Sequence, residues 1–561
     1  VVAGLYGRCL RHLLDEERGV VLAEWEPGGD LDLRGTEVDA GLLAAVLERF
    51  RGEDGRLRIG AGRFAGAVFQ GEVPFGRAVF SGEVDFSGAV FEGRARFPEA
   101  RFVGACFAGA EFRAEASFYK AHFHDPGHVV AADVARFDRA VFEQEAVFAR
   151  AVFPCEEGSR GPTFRHVVFR GETSFWGVVS GERVSFPHAV FMATSKLGPV
   201  VCKGELGLRA AHFMVPVVIE AVAPGILLGE TRFEGPTVIS ARYARVNLDR
   251  VLLLHPCRVT TFTGLGDLDR EPPLVAVLDA LDQEYGPGPT VAVTSLRGVD
   301  AAMLLLAEVD LSGCAFAGAH HLDQIRLEGI WRLRSAPGGV RWARGLPRWC
   351  AKRQIINEER EWRALPGRRR PSRHDWGPPP AEPGAVPGLA TLTTVYRQLR
   401  KAREDAKDEP GAADFYYGEM EMRRYSRGWR HAERWLLQAY WALSGYGLRA
   451  SRALGWLVGA MLATVLLMLA VGLPDTPARE HLAGARVVGK QAPTLRAPFP
   501  ARFNAERALK ATDVVVNSVV FRASGQPLTR AGSYVEKGAR FTGPVLLGLA
   551  VLAVRGRVKR G

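Results

Sequence analysis

Phenylalanine recurs with a steady beat through the first half of the chain: Phe64, Phe69, Phe75, Phe80, Phe86, Phe91, Phe97, Phe102, Phe107, Phe112, Phe118, Phe123, then Phe137, Phe142, Phe148, Phe153, and after a break Phe164, Phe169, Phe175, Phe186 and Phe191. Most steps are five or six residues, and two positions before nearly every Phe stands a small or β-branched residue such as Ala67, Val73, Ala78, Val84 or Ala89. This spacing fits neither the 3.6-residue repeat of a helix face nor the two-residue repeat of a strand. It fits a chain that turns a corner about every five residues, with four very short sides making one coil. Phe fills the coil centre, and the inward residue two places before it must be small because the axis is crowded. Intervening Gly, Ser, Glu and Arg face water or make the corners. Coils stacked at the ~4.8 Å strand spacing bring equivalent rings into ladders. Each buried Phe then contributes ~1.5–3 kcal/mol, and its role is packing.

Runs such as Ala78-Val79-Phe80, Ala89-Val90-Phe91 and Ala140-Val141-Phe142, and the later Val309-Asp310-Leu311-Ser312-Gly313-Cys314-Ala315-Phe316-Ala317-Gly318-Ala319, carry a resemblance to the pentapeptide-repeat family. The resemblance implies a mainly β fold, a right-handed quadrilateral β-helix. The six-residue steps imply bulged corners. Between about 195 and 300 only pieces such as Ala211-His212-Phe213 and Thr231-Arg232-Phe233 keep the pattern, so an irregular stack is expected there.

Leu454 to Leu473 then runs for twenty residues without a charge, the length a helix needs to cross ~30 Å of hydrocarbon. Phe541 to Val554 is a second apolar run of fourteen residues, ~21 Å as a helix, which spans only if Arg540 and Arg555 snorkel at its ends. The expected organisation is a helical or capping segment over 1–55, the β-helix over 56–330, a basic and Pro-rich linker over 331–390 and juxtamembrane α-helices over 391–453. One or two transmembrane helices follow, at 454–473 and 541–554, with a pore-loop-like segment between them at 474–540 and a basic tail at 555–561. Tyr440, Trp441 and Tyr446 stand where an interfacial aromatic belt is expected.

Charge sharpens this picture. The 561 residues carry a net charge of +11, yet residues 56–193 hold 16 acidic and 16 basic side chains, so the rod is neutral. Residues 331–454 hold 25 Lys and Arg against 13 Asp and Glu, an excess of 12 that leads straight into the first apolar run. By the positive-inside rule the repeats and the tail Arg555 to Arg560 are cytoplasmic and the membrane is the cell (inner) membrane. A neutral rod does not imitate the dense negative charge of DNA, so gyrase inhibition by DNA mimicry, and nucleic acid as a partner, are not expected. The seven cysteines are scattered with no Cys-x-x-Cys pair, which fits a reducing compartment better than a disulfide framework. No basic-then-apolar leader is seen, and Val1 rather than Met opens the sequence.

Two blocks, Tyr396-Arg397-Gln398-Leu399-Arg400 and Asp414-Phe415-Tyr416-Tyr417-Gly418-Glu419-Met420, together with the stretch Tyr440 to Tyr446, resemble the juxtamembrane module of bacterial membrane-associated pentapeptide-repeat proteins. In some of these, two helices flank a pore loop of the potassium-channel type, and Ala508 to Phe521 with Gly543 to Leu549 resemble its pore helix and second helix. The Thr-x-Gly-Tyr-Gly-Asp filter is missing, since Phe521 is followed by Arg522-Ala523-Ser524-Gly525. A carbonyl-ring potassium pathway is therefore not expected.

Motifs for chemistry are weak. Gly484 to Gly489-Lys490 begins like a phosphate loop, but Gln491 replaces the magnesium-binding hydroxyl. Gly60, Gly62 and Gly66 are coil-corner glycines rather than a dinucleotide turn. His122, His124, Asp125 and His128 are the densest metal-type cluster, set where the Phe register breaks, and are expected to form a polar insertion loop. Glu358, Glu359 and Glu361 among arginines, and Glu419 with Arg423, are expected to be helical ion pairs. No catalytic, cofactor-binding or metal residue is assigned. The expectation is a non-enzymatic scaffold whose partners are an unidentified protein, the lipid bilayer and further copies of the chain as a homo-oligomer. A degenerate two-helix channel-like subunit is the alternative, and an oxidoreductase-type enzyme has no motif behind it.

Overall fold

The computed structural model describes residues 2–3, 8–124, 135–153, 161–264, 271–286, 288, 291–343, 346–350, 352–365, 376–474, 480–483, 486–490, 495, 498–520 and 527–558. Two compact units divide the chain, Val1–Pro387 and Gly388–Gly561.

In the first unit the chain winds into a parallel β-solenoid of about 11 turns. Every repeat Phe is essentially fully buried, as are Ala67, Ala78, Ala89 and Ala100 beside them. Equivalent rings stack from coil to coil: Phe64 on Phe86 at 4.6 Å, Phe86 on Phe107 at 4.9 Å, Phe107 on Phe137 at 4.9 Å. These separations match the strand spacing, because each ring sits on the same side of successive paired strands. Val90 and Phe91 pair in register with Val68 and Phe69 below and with Glu111 and Phe112 above. One face is a ten-stranded sheet running from Glu37–Val38 to Leu252–Leu253.

The alternation of five- and six-residue steps follows from two kinds of corner. Five-residue steps turn through a left-handed residue, Gly66, Arg77, Gly88 or Glu99, with φ between +57° and +66°. Non-glycine residues are accommodated there. Six-residue steps bend where the backbones of neighbouring coils touch: a Cβ on Gly93 would lie 2.4 Å from the Gly71 carbonyl carbon. Glycine is required at Gly93 by close approach rather than by φ.

Three sequence expectations change. The solenoid starts before residue 56, since Leu31–Asp32 and Glu37–Val38 already pair with Gly62–Arg63 and Val68–Phe69. Helices α1 (Asp15–Ala23) and α2 (Ala40–Arg49) accompany this first coil, α2 burying Leu42, Leu43, Val46 and Leu47. The region 195–300 is a continuous stack with one side fewer. The third face ends at Thr173–Ser174, and from there single strands of five to seven residues, Lys196–Cys202, Val217–Val222, Thr237–Arg242 and Cys257–Thr261, replace two short sides. Removing a corner shortens the coil to 20 residues, the offset between Val217 and Thr237. The Phe beat fades because longer strands put Ile, Leu and Val inside.

Helix α3 (Pro272–Tyr285) lies along that widened face. Its Leu274, Val277 and Leu281 cover an outward column of Val179, Val201, Val222, Tyr243 and Phe262. Fourteen helical residues span ~21 Å, close to the ~19 Å of four coil spacings. Lys120 and Arg150 hold Glu271 at one end of α3, and Arg242 and the Tyr243 hydroxyl hold Asp282 near the other.

The third change concerns 331–390. The described residues between 334 and 364 form a folded cap, in which Arg334–Ser335 pairs with Gln354–Ile355 and helix α4 (Asn357–Ala364) buries Trp362.

Candidate membrane-inserted unit

The second unit is helical: α5 (Leu389–Asp405), α6 (Glu409–Ser426), α7 (Ala432–Ser444), α8 (Ala450–Leu467, extended by a π turn to Gly472), α9 (Ala505–Val520) and α10 (Arg530–Val558). Two stretches are long and apolar enough to cross a membrane, Ala450–Gly472 with mean hydropathy 2.3 and Arg530–Val554 with 1.3. The second is 25 residues, not fourteen, because its helix begins eleven residues before Phe541, so its length no longer limits it. Only 17% and 28% of their most apolar windows are buried. Leu462, Leu466, Phe541, Val551 and Leu552 project outward.

The two helices form a hairpin. Thr529 donates its N–H to the Gly472 carbonyl and its hydroxyl to that of Val471, so α10 starts beside the end of α8. Gly472 and Gly532 face each other there, with no room for a Cβ on Gly532. Arg502 and Arg507 donate to the carbonyls of Ala470 and Leu473 and satisfy the end of α8. Helix α9 packs Ala511, Val514, Val515 and Val519 against both. Ser518 and Arg540 donate to Glu536 between α9 and α10. Residues 521–526, where a filter sequence would stand, lie outside the described residues.

Before the hairpin, α5 and α6 interlock through the residues of the two sequence blocks. The Tyr396 ring rests on Gly418, where a Cβ would meet it at 2.4 Å. Glu419 accepts from Arg397 at 3.0 Å and Arg400 at 2.8 Å, while Arg423 pairs with Glu433, so the expected Glu419–Arg423 pair is replaced by a clasp between helices. Beside it lies a buried polar knot. Glu421 accepts from Arg424 at 2.7 Å and from the Tyr446 hydroxyl at 3.0 Å, and Arg424 also reaches Gln438 and the Trp441 ring. Burial, then the Glu421 charge, push the Tyr446 hydroxyl well above the usual tyrosine range. Tyr446 is therefore core and does not make the expected aromatic belt, while the half-buried Trp441 donates its indole N–H to the Tyr417 hydroxyl. Sequence spacing alone gave no sign of this inward turn.

The chemistry-type residues of the first unit are dispersed. His122 and His124 flank Phe123 on one strand, ring centroids 6.1 Å apart, and burial followed by the charges of His124 and Arg101 lowers the His122 pKa. Asp125 and His128 lie outside the described residues. Among the described residues no group of three or more His, Cys, Asp or Glu is placed to hold a metal ion. Burial pushes the Cys202 and Cys257 thiols up to about 12, which keeps them un-ionised. Glu358 is not an ion pair: its Oε1 accepts the N–H groups of Phe316 at 2.5 Å and Ala317 at 2.9 Å on the end coil, and burial raises its pKa to about 6. Glu359 accepts from Arg353 at 2.5 Å and Arg363 at 2.6 Å, as expected of an ion pair. Glu480–Ala483 and Arg486–Lys490 form an antiparallel pair, without the strand-to-helix turn a phosphate loop requires among the described residues.

Residues 64–107, two full coils, match the family profile described as pentapeptide repeats (9 copies). This segment consists of pentapeptide repeats. No curated protein and no solved structure matches the chain. The outer surface of the pentapeptide-repeat coils is laced by ion pairs between successive turns, among them Arg77–Glu99, Arg94–Glu115, Arg96–Glu72 and Arg113–Glu92. All are half exposed, so each adds little stability, and together they balance the charge along the rod.

Proposed function

We propose that this protein is a non-enzymatic, membrane-anchored scaffold whose pentapeptide-repeat solenoid stands in the cytoplasm and presents a long, charge-balanced surface to a protein partner. One observation carries the anchoring: the α8–α10 hairpin turns leucines, valines and Phe541 outward over lengths that cross a bilayer. A core helix of a water-soluble protein would bury that surface. Sidedness rests on the 25 basic residues against 13 acidic before α8 and on the basic residues after α10, since a hairpin puts both flanks on one side. The full chain should resist alkaline carbonate extraction from membranes, and protease should reach the repeats only in inside-out vesicles. Release by carbonate, or digestion of the repeats from outside intact spheroplasts, sinks the proposal.

A second reading, a degenerate channel-like subunit regulated by the solenoid, is favoured by one feature: α9 packs against both α8 and α10, as a pore helix would. Reconstituted bilayer currents carry this reading, and silence in every ionic condition removes it.

A further inference from the structure

Helix α7 is inside out. A helix on a protein core turns its apolar stripe inward and its charges to water. Along α7 the exposed positions are Ala432, Trp435, Leu436 and Ala439, spaced i, i+3, i+4 and i+7, with Trp435 58% and Leu436 71% exposed. Its two fully buried positions, Arg434 and Ser444, are polar, while Leu437, Trp441 and Leu443 are half-buried. Arg434 is buried and donates to the carbonyls of Arg424 at 2.7 Å and Arg427 at 2.9 Å, and Gln438 accepts from Arg424 at 3.0 Å.

Two further observations say what covers this stripe. First, it continues into the apolar hairpin: the exposed Trp456 of α8 donates its indole N–H to the Ala442 carbonyl at the end of α7. The exposed Trp429 extends it at the other end, with its ring 5.4 Å from that of Trp435. Second, the surroundings are cationic: residues 423–452 contain seven arginines, five of them outside the core once the buried Arg424 and Arg434 are set apart, against one acidic residue, Glu433. Apolar side chains bordered by arginine, continuous with two spans, suit the headgroup boundary of an anionic bilayer; Trp is favoured there because its ring is apolar and its N–H polar.

We propose that α7 lies in the headgroup region of an anionic membrane, with Ala432, Trp435, Leu436 and Ala439 toward the acyl chains and Arg430 among the lipid phosphates. Trp429, Trp435 and Trp456 then form the interfacial belt in place of Tyr440, Trp441 and Tyr446. The inference rests on the reading that α8 and α10 span.

The test places a photoreactive benzoyl-phenylalanine at Leu436, at Ala439, at Leu462 in α8 or at the exposed Asp405 of α5, in the full chain reconstituted into vesicles of phosphatidylglycerol and phosphatidylethanolamine. Positions 436 and 439 should capture lipid, enriched in phosphatidylglycerol, as should 462, and 405 should capture none. Arg430→Gln should lower the phosphatidylglycerol enrichment at 436 about fivefold, the equivalent of ~1 kcal/mol for one basic residue at an anionic surface. Lipid at 462 with only protein adducts, or none, at 436 and 439 overturns the α7 proposal and leaves the spanning reading intact. No lipid at 462 overturns the spanning reading and the proposal with it. These exposed positions make no core contacts, and using two of them guards against a local defect in either variant.

Discussion

The two units keep their charges in different places. In the solenoid every repeat Phe is interior and the charges stand outside as ion pairs between coils. Around α6, α7 and the following turn the interior holds Glu421, Arg424, Arg434 and Tyr446, while Trp435, Leu436, Leu462 and Leu466 face out. The difference is the one that the proposed membrane anchoring requires. Water drives apolar groups together in the solenoid, whereas a lipid environment gives leucine no reason to hide and makes every unpaired polar group costly.

The contrast can be broken most strongly at the centre of the stack. Phe107→Ala should cost ~3–5 kcal/mol in urea unfolding, because its ring is sandwiched between Phe86 and Phe137 and coils above and below prevent collapse. Leu462→Ala should cost far less in bilayer-embedded protein, since lipid is as apolar as the lost side chain. A loss at Leu462 equal to that at Phe107 would mean that α8 is buried against protein.

In the helical unit the costly change is polar. Glu421→Ala should destabilise by ~3 kcal/mol in thermal unfolding of detergent-solubilised protein, because Arg424 and the Tyr446 hydroxyl lose their acceptor while staying buried.

A smaller effect is expected at the end cap. The Glu358 carboxyl titrates near 6 in the folded protein against an ordinary 4.5, so the folded state holds this proton more tightly. Its contribution is complete below pH 4.5 and is lost as pH rises through 6, ~2 kcal/mol in all. Urea unfolding at pH 4.5 and pH 7 should therefore differ more for the natural chain than for Glu358→Gln, which keeps an acceptor for Phe316 and Ala317. Equal differences would show that Glu358 does not couple the cap to pH.

The smallest effect is expected on the outer ladder. Arg77→Ala should change stability by less than ~1 kcal/mol, and less again at high salt, because the Arg77–Glu99 pair is solvated.

Much of this architecture was legible in the residues. The Phe beat determines a coil with inward rings because no helix or ordinary strand repeats at five, and the twenty uncharged residues from Leu454 determine a helix of bilayer length. Local spacing was silent wherever distant segments meet. Six-residue steps look alike in sequence, yet Gly93 is required by the backbone of Gly71 one coil below. The thinning of the Phe pattern after 195 reads as an irregular stack, because exchanging two short sides for one longer strand replaces Phe with Ile and Val while the parallel register continues. Glu358 among arginines resembled an ion pair until the end coil supplied two backbone N–H donors from some forty residues earlier. Tyr446 had the composition of a membrane belt, and only the packing of α6 near the end of α7 turned it inward while Trp435 and Leu436 stayed outside. Periodicity along a chain fixes which side chains share a face; which face is buried, and in what solvent, is decided by partners far away in sequence.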